Sequence, residues 1–290
     1  SLTLTDTEID HLSSTAGFAS GGVGSPVVAT RLRVHDLAST VGGSLAVTST
    51  AGVTVTESSF ARLQGTVAIG VWSLNSSSTV SGTTITDLTG TGSAFGIAAT
   101  LNTTVTDSSI TGVSGPERVA GVLVSGDASL TRSTIAAVTG AGETAGLAAD
   151  GSATMVNSTI TGVTGWAAEV AGDLSLVYST VVGNGDTPDA GACVVSLCGL
   201  SDAASDVHVL IVDSNVQIQV TGALTTFGSV IAQNRVGGPN CDAGSTASVG
   251  YNLADDTTCG LTGTGDRQVV GLDPLLGPLA ANGGGAPTLL

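Results

Sequence analysis

Four cysteines are the residues with the clearest chemistry in the chain. All lie in its last third, and they are Cys193, Cys198, Cys241 and Cys259. Their spacing matches neither a zinc ribbon nor a zinc finger. An even number of cysteines in a chain rich in Gly and Thr favours two disulfides, and hence an oxidising compartment. We expect local pairing, Cys193 with Cys198 and Cys241 with Cys259.

Carboxylates and arginines are the groups that would act on polysaccharides. A lyase needs a Lys or Arg base and usually a cation held by clustered Asp, but the chain has no Lys and its Arg residues are scattered. A glycosidase needs two carboxylates about 5–10 Å apart on one face. Asp87 and Asp107 fall in different columns of the repeat described below, and Arg62 stands between Asp36 and Asp87. We therefore predict no catalytic residues, and a lyase or glycoside hydrolase acting on extracellular glycans is the alternative hypothesis.

Histidines and aspartates are the other candidate ligands. His11, His35 and His208 form no predicted ligand set, because strand alternation places His35 and its neighbour Asp36 on opposite faces. The aspartates of the expected loops lack a recurring calcium-binding spacing; they are Asp186, Asp189, Asp202, Asp206, Asp255 and Asp256. Weak Ca²⁺ binding fits this composition, but we predict no defined metal or cofactor site.

Aromatic and threonine side chains are candidates for surface recognition. Trp72 and Trp166 have the ring faces that stack on sugars, but they occupy different repeat positions, which favours packing at a corner. Threonine pairs recur at positions that should face outward, as ice-binding surfaces require; they are Thr3/Thr5, Thr54/Thr56 and Thr104/Thr106. The array is interrupted at Val28, Ser81, Val156 and Val177, and Thr is an ordinary exposed strand residue.

These residues are positioned by an internal repeat of about 25 residues. Each clear copy has an apolar residue followed five positions later by Gly, as in Thr84–Gly90 and Ser109–Gly115. The central apolar residues, here called the ladder, are Ile9, Val34, Phe60, Ile85, Ile110, Ile135, Ile160 and Val181. Five positions before them stand Leu4, Ala29, Val55, Val80, Val105, Leu130, Met155 and Leu176. Three positions after them stand Leu12, Leu37, Leu63, Leu88, Val113, Val138 and Val163. We expect all three columns to face the interior.

Small residues mark the expected corners of each repeat. Two positions before the ladder stand Ser58, Thr83, Ser108, Ser133, Ser158 and Ser179, which suit an inward corner with little room. Five positions after it stand Gly65, Gly90, Gly115, Gly140 and Gly165. We expect these glycines to form sharp turns, because Gly adopts positive φ at little cost.

Charged residues support the same register. The column three positions before the ladder contains Asp6, Arg31, Glu57, Asp107 and Arg132. The column two positions after it contains Asp36, Arg62 and Asp87. Opposite charges therefore fall on adjacent repeats, which indicates stacking even though exposed ion pairs contribute only about 0–1 kcal/mol each.

The pattern predicts an all-β fold, a right-handed parallel β-helix solenoid with about 25 residues and three strands per coil. Small and β-branched residues suit stacked strands, and no helical periodicity of about 3.6 residues is present. We expect regular coils over residues 1–185. Residues 186–290 should form irregular coils and a Cys-containing cap of the same domain.

Two resemblances accompany this prediction. The columns resemble the pectate-lyase-like superfamily of right-handed β-helices. The tail resembles the choice-of-anchor Q domain proteins of bacterial surfaces, through SVIAQN (229–234), GPNC (238–241), GYNL (250–253), Cys259, DPLLGPL (273–279) and NGG (282–284). The second resemblance implies an exported protein, and neither implies a particular activity.

The sequence therefore favours a secreted or cell-surface structural or adhesive rod. Partners would be other copies of the chain, joined head to tail or laterally, or extracellular glycans; glycan or ice binding is a further alternative. A net charge of −16, with 23 acidic residues, repels nucleic acid and anionic lipid. No apolar run approaches the length of a membrane span, so we expect no membrane insertion within this chain.

Overall fold

The protein is a parallel β-solenoid, which confirms the predicted fold class. The computed structural model describes residues 1–15, 19–23, 25–185, 218–232 and 239–275. These residues form strands joined by turns and contain no helix, and every strand pairing is parallel, with neighbouring rungs about 25 residues apart. Within these ranges no helix has the length and hydropathy that a membrane crossing requires. The predicted pair Cys193 and Cys198, and His208, lie outside the described residues.

The strands occur in chain order as follows: β1 Leu2–Thr5, β2 Glu8–Asp10, β3 Ser13–Ser14, β4 Ala19–Val23, β5 Val27–Thr30, β6 Arg33–Ser39, β7 Gly43–Ser49, β8 Val53–Thr56, β9 Ser59–Ser73, β10 Ser78–Ser81, β11 Thr84–Ala99, β12 Thr103–Thr106, β13 Ser109–Gly115, β14 Val119–Val124, β15 Ala128–Thr131, β16 Thr134–Gly140, β17 Thr144–Ala149, β18 Ala153–Val156, β19 Thr159–Val163, β20 Trp166–Val170, β21 Leu174–Val177, β22 Thr180–Val182, β23 Ile218–Phe227, β24 Val230–Ala232, β25 Cys241–Gly250, β26 Leu253–Ala254 and β27 Arg267–Gln268.

A typical coil has three strands, such as β12, β13 and β14, which we call its first, second and third strands. Each pairs with the equivalent strand of the next coil, β15, β16 and β17. In two coils the second and third strands are continuous, as β9 and β11. The stack continues beyond residue 217, because β23 pairs with both β20 and β21.

The ladder residues lie on successive rungs of the second strands. Ile85 pairs with Phe60 on one side and with Ile110 on the other. The row runs from Ile9 to Val181 and continues into Ile231. From Val34 onwards every member is at most 1% exposed, so these side chains form the centre of one apolar core.

The first coil is less buried than the coils stacked directly above it. Leu4 and Ile9 are only partly buried against the core, and Leu12 is 45% exposed. Leu12 still stacks over the buried Leu37, because their neighbours Ser13 and Ala38 pair in register, so its exposure marks the first coil of the stack and not an outward orientation. The other members of that column are each at most 1% exposed.

Glycines in the third strands let the ladder fill the interior. A Cβ added to Gly70 would lie 3.0 Å from Ile85 Cγ2 and 2.6 Å from the carbonyl oxygen of Gly96. A Cβ on Gly146 would lie 2.7 Å from Ile160 Cγ2. The contacts of 2.6 and 2.7 Å are too short for real Cβ atoms and the one of 3.0 Å is unusually tight, so this Gly column matches the volume of the ladder side chains across the coil.

The predicted corner glycines have a different role from the one expected. None of Gly65, Gly90, Gly115, Gly140 and Gly165 has a positive φ, so the prediction of left-handed turns at these positions is wrong. They allow close backbone approach instead: a Cβ on Gly65 would lie 2.9 Å from the carbonyl oxygen of Gly42, and one on Gly115 would lie 2.7 Å from that of Gly92.

The left-handed corners coincide with the charged columns. Asp107 has φ of 50° and Arg132 of 47°, between the first and second strands of their coils, and Asp36 has φ of 57° within β6. Arg132 donates to both carboxylate oxygens of Asp107, at 2.6 and 2.7 Å. The Arg31–Asp6 and Arg62–Asp36 pairs are built the same way. Charged side chains therefore project from the bends and pair vertically between coils.

A buried row of hydroxyls follows the first corner. It consists of Ser58, Thr83, Ser108, Ser133, Ser158, Ser179 and Ser229. Each oxygen accepts a hydrogen bond of 3.0–3.4 Å from a backbone N–H one coil earlier. Each hydroxyl also donates, at 2.7–3.1 Å, to the carbonyl two residues before it. The row ends at Asn252, whose Oδ1 accepts from the N–H of Ser229. These hydroxyls satisfy backbone donors that the bend would otherwise bury without partners.

We expect the substitution Ser108→Ala to destabilise the protein by about 1–3 kcal/mol, because it leaves the buried N–H of Thr83 without its acceptor. Urea unfolding curves of the variant and the parent protein measure the difference. Thr104→Ala is the matched control, since it removes an exposed hydroxyl of the adjacent first strand and should change stability by less than about 0.5 kcal/mol. Equal midpoints for both variants would show that the hydroxyl row contributes nothing.

Candidate functional sites

The outward side of the third strands carries two apolar columns. Leu45, Ile69 and Ala98 form a buried cluster separate from the interior core, with Val67, Trp72 and Phe95 packed against it. The first column runs through Leu45, Ile69, Phe95, Ala120, Ala145 and Trp166. The second runs through Thr48, Trp72, Ala98, Leu123, Ala148 and Glu169. We call this surface the aromatic face.

Both tryptophans belong to the aromatic face. Trp72 lies within β9 and Trp166 begins β20, and both side chains are partly exposed. The expectation that Trp72 packs at a corner is therefore wrong. The repeat positions of the two residues differ, but the pairing register brings them onto adjacent columns of the same sheet.

Glu169 lies at the far end of the aromatic face. It shares a column with Trp72 and is three residues after Trp166 on β20. Burial raises the pKa of Glu169 to about 7, and the negative charge of Glu143 adds to this effect. Arg118, which is paired with Glu143 at 3.1 Å, lowers that pKa less strongly. The face thus combines ring surfaces with a carboxyl group that titrates near neutral pH.

The raised pKa of Glu169 predicts a pH-dependent stability. The folded protein binds this proton more tightly than the unfolded chain, so stability should fall as pH rises from about 4.5 to about 7. Glu169→Gln removes the ionisation, so the variant should be more stable than the parent at pH 8, on the order of 1–2 kcal/mol, and close to it at pH 4. Urea unfolding at both pH values measures this.

Glu117→Gln serves as the control for that experiment, because Glu117 is exposed. A Glu169→Gln variant that shows no gain over the parent at pH 8 would contradict the raised pKa of this buried carboxyl group.

A second polar cluster lies on the outside of the first two coils. Asp10 of β2 pairs with His35 of β6, and His35 Nδ1 lies 3.0 Å from Asp10 Oδ1 and 2.9 Å from Asp36 Oδ2. His35 Nε2 lies 3.0 Å from Glu8 Oε1. His11 Nδ1 contacts Asp10 Oδ1, and the rings of His11 and His35 are 6.3 Å apart. We call these five residues the histidine cluster.

The histidine cluster corrects an interpretation of the sequence. Strand alternation predicted that His35 and Asp36 lie on opposite faces. The left-handed φ of Asp36 breaks that alternation and turns its carboxylate towards the neighbouring ring. A signal was present in the sequence: Asp10-His11 and His35-Asp36 are one repeat apart and in reversed order, so each imidazole stacks over a carboxylate.

Electrostatic interactions in the histidine cluster stabilise its charges. Hydrogen bonds to Glu8 and then Asp36 raise the pKa of His35. The bidentate hydrogen bonds from Arg62, and then the one from His35, lower the pKa of Asp36. His35 is 23% exposed, so the cluster is partly shielded from solvent.

The C-terminal part contains one of the two predicted disulfides, Cys241–Cys259, which joins β25 to the turn after β26. The nearby carboxylates are used in structural hydrogen bonds. Asp255 accepts from the side-chain amide of Asn240 at 2.6 Å, and Asp256 accepts from the backbone N–H of Asn240 at 2.8 Å. The other aspartates considered for calcium, Asp186, Asp189, Asp202 and Asp206, lie outside the described residues.

Threonines of the first strands form two outward columns. Thr54, Thr79 and Thr104 pair in succession, as do Thr56, Ser81 and Thr106. Val28 interrupts the column of Thr54, and Val156 interrupts the column of Thr56. The surface therefore lacks the uninterrupted hydroxyl array that an ice-binding face requires.

Comparison with known proteins found no matching family model, no matching curated protein and no matching solved structure. The functional argument therefore depends on the geometry of this chain.

Proposed function

We propose that the protein is a rigid extracellular rod that adheres to glycans through its aromatic face. The support for rigidity is the vertical pairing of successive coils around one core within the described residues. The support for an oxidising location is the disulfide Cys241–Cys259. The resemblances to pectate-lyase-like β-helices and to choice-of-anchor Q proteins belong to this proposal and would place the rod at a bacterial surface.

The observation that carries the proposal is the position of the two tryptophans on one outward sheet face. Aromatic rings present a large apolar surface with little conformational freedom to lose, which suits the apolar faces of sugar rings. Gln219 and Asp242 continue the column of Trp72 beyond Glu169 and supply hydrogen-bonding groups for sugar hydroxyls. Its partly exposed apolar side chains lie on different coils, which suits a polymeric ligand; they are Trp72, Phe95, Leu123 and Trp166.

The fluorescence of the protein tests the proposal directly. Trp72 and Trp166 are the only tryptophans in the chain, so tryptophan emission reports on the aromatic face alone. Titration with neutral and uronate polysaccharides should produce a saturable change in emission with at least one of them. Trp166→Ala should weaken that binding at least about tenfold, because ring contacts are often dominant in recognition.

Tyr178→Ala is the control for the titration, since Tyr178 is an exposed aromatic at a first-strand corner. Its binding should equal that of the parent. Emission that does not respond to any polysaccharide would refute glycan adhesion by this face. Release of new sugar ends in the same mixtures would identify the enzyme alternative instead.

A further inference from the structure

The histidine cluster brings together atoms that metal ions prefer. Asp10, His35 and Asp36 each offer a ligand atom, and these three atoms lie within 4.8 Å of one another. His11, from the same coil as Asp10, contacts that carboxylate with its own ring nitrogen and is 77% exposed, so it has room to turn. Two imidazoles and two carboxylates therefore converge from two adjacent coils.

The spacing of these atoms is close to that of a tetrahedral zinc site. Two ligand atoms bound to Zn²⁺ at 2.0–2.2 Å are about 3.3–3.6 Å apart. In the structure His35 Nδ1 is 3.0 Å from Asp10 Oδ1 and 2.9 Å from Asp36 Oδ2. If these side chains moved apart by a few tenths of an ångström, their ligand atoms would have the separations of a tetrahedral Zn²⁺ site.

The partners around the ligand atoms are a second and independent indication. A histidine that binds a metal through one nitrogen usually donates its other N–H to a carboxylate, which orients the ring. Glu8 Oε1 lies 3.0 Å from His35 Nε2, on the side of the ring away from Asp10 and Asp36. Arg62 holds Asp36 through both carboxylate oxygens, so that side chain is also fixed in place.

The remaining charged corners show that stacking alone does not require this arrangement. At Asp6–Arg31 and Asp107–Arg132, a single bidentate arginine satisfies the carboxylate. Glu8 and Asp10 instead have imidazole partners. Two of the three histidines in the chain are used at this one position.

We propose that the histidine cluster is a binding site for a divalent transition metal of the zinc type. His11, His35, Asp10 and Asp36 are the ligands, and Glu8 is the positioning residue for His35. The metal joins the first coil to the second at the rung where Ile9 pairs with Val34. It thereby joins the first coil, whose described residues 1–15 include none that is buried, to the stack.

Titration calorimetry of the full chain with ZnCl₂, after removal of metal by EDTA, tests this site. We expect one Zn²⁺ per chain and a higher thermal midpoint at saturating metal, because the ion binds the folded state. His35→Ala should weaken binding at least about 100-fold. Glu8→Ala keeps all four ligands and should weaken binding about 10- to 100-fold.

Two controls separate this site from other metal binding. Asp107→Asn changes a corner carboxylate without a histidine, and His208→Ala removes the third histidine of the chain; both should bind like the parent. Absence of binding at 1 mM ZnCl₂ would overturn the proposal. Unchanged binding in His35→Ala would do so as well. If His35→Ala fails to fold, unchanged binding in Glu8→Ala would overturn the proposal by itself.

Discussion

The constraint on which the structure depends is the vertical pairing of each residue with its counterpart one coil away. Every rung supplies backbone hydrogen bonds, and it also places like side chains directly over one another. A residue type that packs well at one position of a coil therefore packs well at the same position of every coil. This explains why the ladder from Val34 to Val181 contains only Val, Ile and Phe, and why Gly recurs opposite it, where a Cβ would meet the ladder side chains. Stability then accumulates through contacts between neighbouring coils.

At the bends the backbone alone cannot continue this regular pairing, and side chains supply the missing hydrogen-bond acceptors. A left-handed residue turns the chain, and the next residue supplies a buried hydroxyl that accepts an N–H from the coil before. The turning residue faces outward, so its side chain is free to vary. In this chain that freedom is used for arginine–carboxylate pairs at several corners and for the histidine cluster at one. The candidate metal site is thus a variation of the ordinary corner.

The fold could be predicted from the sequence because residues one repeat apart in the chain occupy equivalent positions on neighbouring coils. The ladder, the hydroxyl column and the charged columns all have the separation of about 25 residues that the strand pairing shows. The candidate sites could not be predicted as well, for two physical reasons. Alternation between faces fails at a left-handed residue, so the proximity of His35 and Asp36 was missed. Irregular coil lengths also place Trp72 and Trp166 at different repeat positions, although the pairing register puts them on one face.

Distances between coils test the central claim of vertical stacking most directly. Nitroxides attached through a ketone-bearing amino acid at Thr54 and Thr154 would occupy exposed positions of one column, four coils apart. Neighbouring strands are about 4.8 Å apart, so pulsed electron resonance should give a narrow distribution near about 19 Å, and labels at Thr54 and Thr104 should be about half as far apart. A broad distribution, or a Thr54–Thr154 distance far above this value, would contradict the stacked register.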